Sequence, residues 1–240
     1  MKISMNALLP ISFLTVVTLI GTTSCRRADE IRQLLSESEA AEIIETMIAE
    51  RSGGVTNPIE VALISINAYR NNCGELGDTT FSRAKTTGLY TYDAAFTTSW
   101  KINCNSQGFP TDASSATSTN SNFTTPNWEG QETSSGNMAV TGLNSSASSY
   151  VANGSWNASS ELTGDLRNVD PTITCTTVLK LDNVSYKKGT YSIEGGTGTA
   201  VITAKNGRGD EKILEAAITF NGNNTFTVKV NSFTYTFDLN

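Results

Sequence analysis

The chain reads as mainly β with N-terminal helices, an antiparallel β-meander of about nine or ten strands forming a curved sheet or barrel-like structure. Three observations carry that expectation. Apolar and polar side chains alternate with period two from Thr79 to the end. Turn-forming Asn-Gly, Lys-Gly and Ser-Gly pairs punctuate the alternating runs. Charged residues make up only 17% of the chain, below the usual quarter, and Ser, Thr, Asn and Gly fill the deficit. Alternation places one face of a strand in a core and the other in water, the habit of antiparallel sheet. Thr suits strands, and Asn and Gly supply turn geometry.

The elements are justified in chain order. Residues 1–24 form an export signal. Lys2 is the only charge before Arg26, Ala7 to Ile20 is largely apolar, and Gly21 to Ser24 are small. The apolar run is too short and too polar for a membrane span, which needs about 20 apolar residues. Ile20 to Cys25 resembles the lipobox of bacterial lipoproteins, with Thr22 where Leu is usual and Thr23-Ser24 in place of Ala-Gly. The resemblance implies cleavage before Cys25 and acylation of its thiol and amine. Each buried methylene adds about 0.8 kcal/mol, so several acyl chains anchor durably where one binds marginally. The alternative is cleavage near Ser24 by the general signal peptidase, leaving Cys25 incidental.

Residues 25–56 form a lipidated N-terminus with an amphipathic helix, and residues 57–240 a second helix followed by the β domain. Asp29 to Arg51 is the first helix. Ser36 with Glu39 fits a capping box, and Gly53-Gly54 fits a stop. Leu34, Leu35, Ala41, Ile44 and Ile48 recur at helical spacing, while Glu37, Glu42, Glu45 and Glu50 form a solvated acidic face. Asn57 to Asn72 is the second helix, with Asn57 as N-cap, Pro58 at the first helical position, Glu60 completing the cap and a stripe from Ile59 to Tyr69. Val61 to Tyr69 also fits a strand.

Phe96, Trp100, Ile102 and Cys104 share one face of the first clear strand. Tyr150, Ala152 and Trp156 do so in another. Leu214 to Phe220, Phe226 to Val230 and Phe233 to Leu239 continue the pattern. Turns are expected at Ser135-Gly136, Asn153-Gly154, Lys188-Gly189, Asn206-Gly207 and Asn221-Gly222. Residues 105–127, rich in Ser, Thr and Asn, read as a long loop or an edge hairpin with two polar faces.

With Cys25 acylated, Cys73, Cys104 and Cys175 remain in an oxidising compartment. Cys73–Cys104 is the preferred disulfide, pinning the end of the second helix to the end of a strand. Closing that loop adds roughly 3–4 kcal/mol by the chain-entropy treatment, and Cys175 becomes a small buried hydrophobe. The rival pairing is Cys104–Cys175. No spacing resembles a zinc site, and no metal or cofactor is expected.

The order of a helix ending in Cys73-Gly74, then Trp100 to Asn105, Ala139 to Leu143, Tyr150 to Trp156 and Ile218 to Gly222 resembles a family of uncharacterised lipoproteins from Gram-negative cell envelopes. The resemblance covers most of the chain after residue 60. It implies a shared fold and export route, and brings no catalytic residue and no ligand.

Chemistry is sparse. The chain has no histidine, which excludes Ser-His-Asp and Cys-His centres. The carboxylate pairs that could serve glycoside hydrolysis are Glu129 with Glu132 and Glu161 with Asp165. Arg208-Gly209-Asp210 is an integrin-ligand triplet in some adhesins, although turn chemistry alone accounts for its glycines. Trp100 and Trp156 lie on apolar phases, leaving Trp128 as the candidate for an exposed contact. Removal of residues 1–24 takes away Lys2 and no acid, leaving 16 basic against 23 acidic side chains, a net charge of −7. Nucleic acid is therefore not an expected partner. The expected function is non-catalytic: an outer-membrane lipoprotein facing the periplasm, whose sheet binds a glycan or an envelope protein or makes a structural contact. A carboxylate hydrolase and a carrier of apolar ligands in a closed barrel are the alternatives.

Overall fold

The computed structural model describes residues 34–164 and 172–239; the leader, Cys25 and Asp165 lie outside them. Residues from Leu34 onward form one compact unit, so the first helix belongs with the sheet. Helix α1 spans Glu37–Ile48, a 3-10 turn follows at Glu50–Ser52, and helix α2 spans Thr56–Ala68.

The expected capping box is present. The Ser36 N–H donates to Glu39 Oε2 at 2.7 Å, and the Glu39 N–H donates to Ser36 Oγ at 3.3 Å. Two donors that the helix cannot satisfy internally thus find partners. The helix ends at Ile48, three residues early, because Ala49 is extended. Gly53 then takes the left-handed conformation, with φ of 80°, that closes the 3-10 turn.

Asn57 is not the N-cap of α2. The helix starts at Thr56 behind Val55, which makes no side-chain cap bond. Asn57 turns inward instead: its amide donates to the Glu50 and Gly54 carbonyls, and its oxygen accepts from Arg83 at 2.7 Å. A buried amide with three partners outweighs one exposed cap. Ile59, Ala62, Leu63 and Ile66 are sealed as expected, but Tyr69 lies past the helix end and is 53% exposed. Cys73 likewise follows the helix by several residues.

The acidic face of α1 is only partly solvated. Glu42 and Glu45 are buried. The Glu42 carboxylate accepts from the Thr125 hydroxyl and from the Asn127 backbone and side-chain amides. Glu45 pairs with Arg51 and accepts from the Tyr90 hydroxyl at 3.3 Å, while the Arg51 guanidinium lies 4.6 Å from the Tyr90 ring centroid. Burial raises the Glu45 carboxyl above its usual range despite Arg51. Burial, with the Glu45 charge beside it, pushes the Tyr90 phenol up to about 12. Helical spacing reports which residues share a stripe, and the packing of that stripe against β-strands is a tertiary event.

Ten strands follow: β1 Leu76–Thr87, β2 Tyr90–Cys104, β3 Pro110–Thr124, β4 Glu129–Thr141, β5 Ser149–Thr163, β6 Thr172–Lys187, β7 Ile193–Asn206, β8 Glu211–Gly222, β9 Thr225–Val230 and β10 Phe233–Asp238. Every strand pairs antiparallel with its sequence neighbour in the order β1 to β10. The sheet is curved and does not close. On its inner face α2 packs against β2 and β3, and α1 against β8, β9 and β10.

Two expected turns are strand interior. Ser135-Gly136 lies within β4, and Asn153-Gly154 sits in β5 beside a bulge. Gly136 makes room for tryptophan: a Cβ there would overlap the Trp156 indole on the neighbouring strand. The Lys188-Gly189 and Asn206-Gly207 turns stand where the sequence placed them. The tip of the β8–β9 hairpin falls at Asn223 and Asn224, both with positive φ.

The segment 105–127 holds β3, an interior strand, and not a loop or an edge hairpin. Its inner phase is Ala113, Ser115, Thr117, Thr119, Ser121 and Phe123, all buried. Trp128, expected to be exposed, is 3% exposed.

Candidate functional site

The outer face of the sheet is almost free of large apolar groups across β2 to β5. A shallow groove of about 520 Å³ crosses β3 to β6 there. Ser118 and Asn120 of β3, Thr133 and Ser135 of β4, and Asn157 and Ser159 of β5 line it. Strand registry sets their spacing: Ser118 stands opposite Ser135, which stands opposite Asn157. The next row is Asn120, Thr133 and Ser159. Neighbouring strands lie about 4.8 Å apart, so hydroxyl and amide groups recur at that interval. None of the residues lining the groove is charged.

A second hollow of about 240 Å³ opens beside the disulfide. Its aromatic wall is Tyr69 stacked on Trp100, with ring centroids 6.1 Å apart. Asn72, Glu75 and Asp78 supply polar groups around it, and the Asn72 amide donates to Glu75 at 2.8 Å. Gly77 of β1 lets the Trp100 indole lie flat on that strand, since a Cβ would overlap it. The Cys73–Cys104 disulfide, with Cα atoms 5.6 Å apart, ties the segment after α2 to the end of β2. Cys175 is buried on the inner face of β6, and the Cys104–Cys175 pairing does not occur.

The carboxylate pairs do not assemble as the hydrolase alternative needs. Glu129 and Glu132 are three residues apart on one strand, so they project to opposite faces of the sheet. No single glycosidic bond can sit between them. Glu161 lies on the outer face of β5, and its expected partner Asp165 falls outside the described residues. Glu132 faces inward, and burial pushes its carboxyl up to about 7. Among the described residues no three Cys, Asp or Glu side chains converge on a common point.

The condition for a lumen carrier, a closed barrel, is not met: the sheet has two free edges, and helices pack on its inner face. The Arg208-Gly209-Asp210 triplet is built as a turn. Asn206 Oδ1 accepts from the Arg208 and Asp210 N–H groups, each at 3.0 Å. No helix of the described residues is long and apolar enough to cross a membrane.

Sequence reasoning missed the groove because its strands β3 and β4 were read as loop and turn. A usable signal was present. The phase of Met138 and Val140, carried back along β4, places Gly136, Ser134 and Glu132 inside and Ser135 and Thr133 outside. Compared with known proteins, the chain matches no family model, no curated protein and no solved structure.

Proposed function

We propose that the protein is a lipid-anchored lipoprotein of the cell envelope. It is held by acyl groups on Cys25 in the outer membrane, facing the periplasm, and binds a neutral glycan without chemistry. The observation that carries the binding reading is the groove across β3 to β6, lined by hydroxyl and amide groups and by no charge. Sugar hydroxyls both donate and accept hydrogen bonds. Ser, Thr and Asn side chains do the same, and form a wall that leaves neither partner unpaired. The anchor reading draws its support from the short apolar leader and the small residues before Cys25.

Two measurements test the reading. Intact-mass analysis of the native protein is expected to show a chain beginning at Cys25 and carrying acyl mass; an unmodified terminus, or another first residue, refutes the anchor. The mature chain on an array of envelope glycans is expected to bind a neutral oligosaccharide, and Ser135→Trp, which fills the exposed groove, is expected to abolish that signal. Absence of binding on the array, or binding unaffected by Ser135→Trp, refutes the groove as the site.

A further inference from the structure

The inner face of β3 to β6 carries polar groups that the core does not otherwise explain. Two rows cross it. In one, Ser121, Glu132, Ser160 and Cys175 lie side by side on successive strands. In the next lie Thr119, Ser134, Ala158 and Thr177. The five hydroxyl residues are each no more than 8% exposed. Ser115 and Thr117, higher on β3, are satisfied: Ser115 donates to the Ser99 carbonyl, and Thr117 accepts from the Trp156 indole N–H, both at 2.9 Å. No such bond reaches Thr119, Ser121, Ser134, Ser160, Thr177 or the Glu132 carboxyl among the described residues. None of these oxygens is sealed, so each borders space that a water-sized sphere can enter. Polar groups on a largely buried face take their partners from whatever enters such space, water or a polar ligand, and six of them together line one place for it.

The chemistry of the six groups narrows what sits there. All can accept hydrogen bonds or donate lone pairs, and the only ionisable group among them is one carboxyl. The rows on either side are apolar, with Trp156 and Leu179 on one side and Phe123 and Leu162 on the other. Two inward cations stand along the carboxyl's row, and both are engaged elsewhere: Arg83 on β1 donates to Asn57 and pairs with Glu50 and Glu60, and the Lys212 ammonium on β8 donates to the Leu35 carbonyl.

We propose that this patch is a site for one monovalent cation, an alkali ion or a small primary ammonium, held by the Glu132 carboxylate between the Ser121 and Ser160 hydroxyls. Thr119, Ser134 and Thr177 complete the oxygen lining. One part-buried carboxylate balances one positive charge, whereas a divalent ion would leave net charge beside apolar rows. Calcium sites gather several carboxylates, and this one has a single acid. Cross-strand neighbours place their Cβ atoms about 5 Å apart, which lets oxygens from three strands converge on one small ion.

The test uses the whole mature chain at pH 8, where the carboxyl is ionised. Thermal unfolding is followed in tetramethylammonium chloride, whose cation is too bulky for the patch. That salt is replaced stepwise, at constant ionic strength, by sodium, potassium or methylammonium chloride. At least one of the three is expected to raise the midpoint by about 3–5 °C once it reaches ten times its dissociation constant. The salt that acts distinguishes an alkali ion from an ammonium. Glu132→Gln is expected to remove the response, and Ser160→Ala and Thr177→Val to shift it to higher concentration. Equal midpoints in all four salts overturn the proposal. So does an undiminished response in Glu132→Gln or, should that variant not fold, in the Ser121→Ala/Ser160→Ala pair.

Discussion

Strands β2 and β3 are neighbours of equal length, 15 residues each. Both alternate strictly between inward and outward side chains, yet only one was recognisable as a strand beforehand. On β2 the inward set includes Tyr92, Phe96, Trp100 and Ile102. On β3 it is mostly Ala, Ser and Thr. Phe96 stands directly opposite Thr119. The pairing is complementary in volume: a large ring on one strand lies beside a small hydroxyl on the next, as close packing requires. Alternation in hydrophobicity and alternation in burial are separate properties. A strand can possess the second without the first when its neighbours supply the bulk.

The comparison can be broken most directly at that pair. Phe96→Ala is expected to cost about 3–5 kcal/mol, since it removes a sealed aromatic from a packed site. Thr119→Ala is expected to cost less than about 1 kcal/mol, because its hydroxyl has no protein partner to lose. Urea denaturation of the two variants measures both. Equal costs would mean that β3 contributes to the core as β2 does, and would end the distinction.

The next effect sharpens the same point on β4. Gly136→Ala places a methyl group into the Trp156 indole. Overpacking of this kind costs about 1–3 kcal/mol. If Gly136 were in a turn, as its Ser-Gly context suggests, the substitution would leave Trp156 untouched. Near-ultraviolet circular dichroism of the indole, together with the unfolding midpoint, separates the two cases.

The smallest expected effect concerns Glu132. Its carboxyl is raised in the folded protein to about 7 by burial, from about 4.3 in an unfolded chain. The folded state therefore holds a proton that the unfolded state has released between those values. The favourable contribution of the neutral form is complete below about pH 4.3 and is lost as pH rises through 7. Glu132 is only part-buried, so solvent screening cuts the effect, and Glu132→Gln is expected to unfold about 2–4 °C higher than the parent at pH 8 and to match it near pH 4, measured in tetramethylammonium buffer. A constant gap between the two proteins across that range would contradict the assignment.

Legibility followed the size of the signal. The capping box at Ser36 and Glu39, the strands of Phe96 to Cys104, Tyr150 to Trp156 and Leu214 to Phe220, and the Lys188-Gly189 and Asn206-Gly207 turns stood in the sequence because local chemistry alone requires them. Cys73 and Cys104 were the preferred pair for a different reason, that a bridge between them ties the helical segment to the end of a strand. Ser135-Gly136 misled because glycine serves two purposes: it permits positive φ in a turn, and it clears space for a ring from another strand. Glu42, Glu45 and Asn57 misled because hydrogen bonds to distant Thr125, Tyr90 and Arg83 reverse the sense of an acidic face or a cap. Of the groove, its outward Ser, Thr and Asn side chains were visible, but not that they come from adjacent strands.

By itself the sequence determined the class of the fold, its antiparallel meander, the capping box of α1 and the absence of any histidine-based chemistry. These follow from spacing and residue type, which act over a few residues at a time. Only the tertiary structure decided that the sheet stays open, that buried glutamates hold α1 to it, and that small hydroxyls from four strands meet on both of its faces. Those outcomes depend on which strands become neighbours and in what register, and register is a property of pairs of segments that no single segment carries.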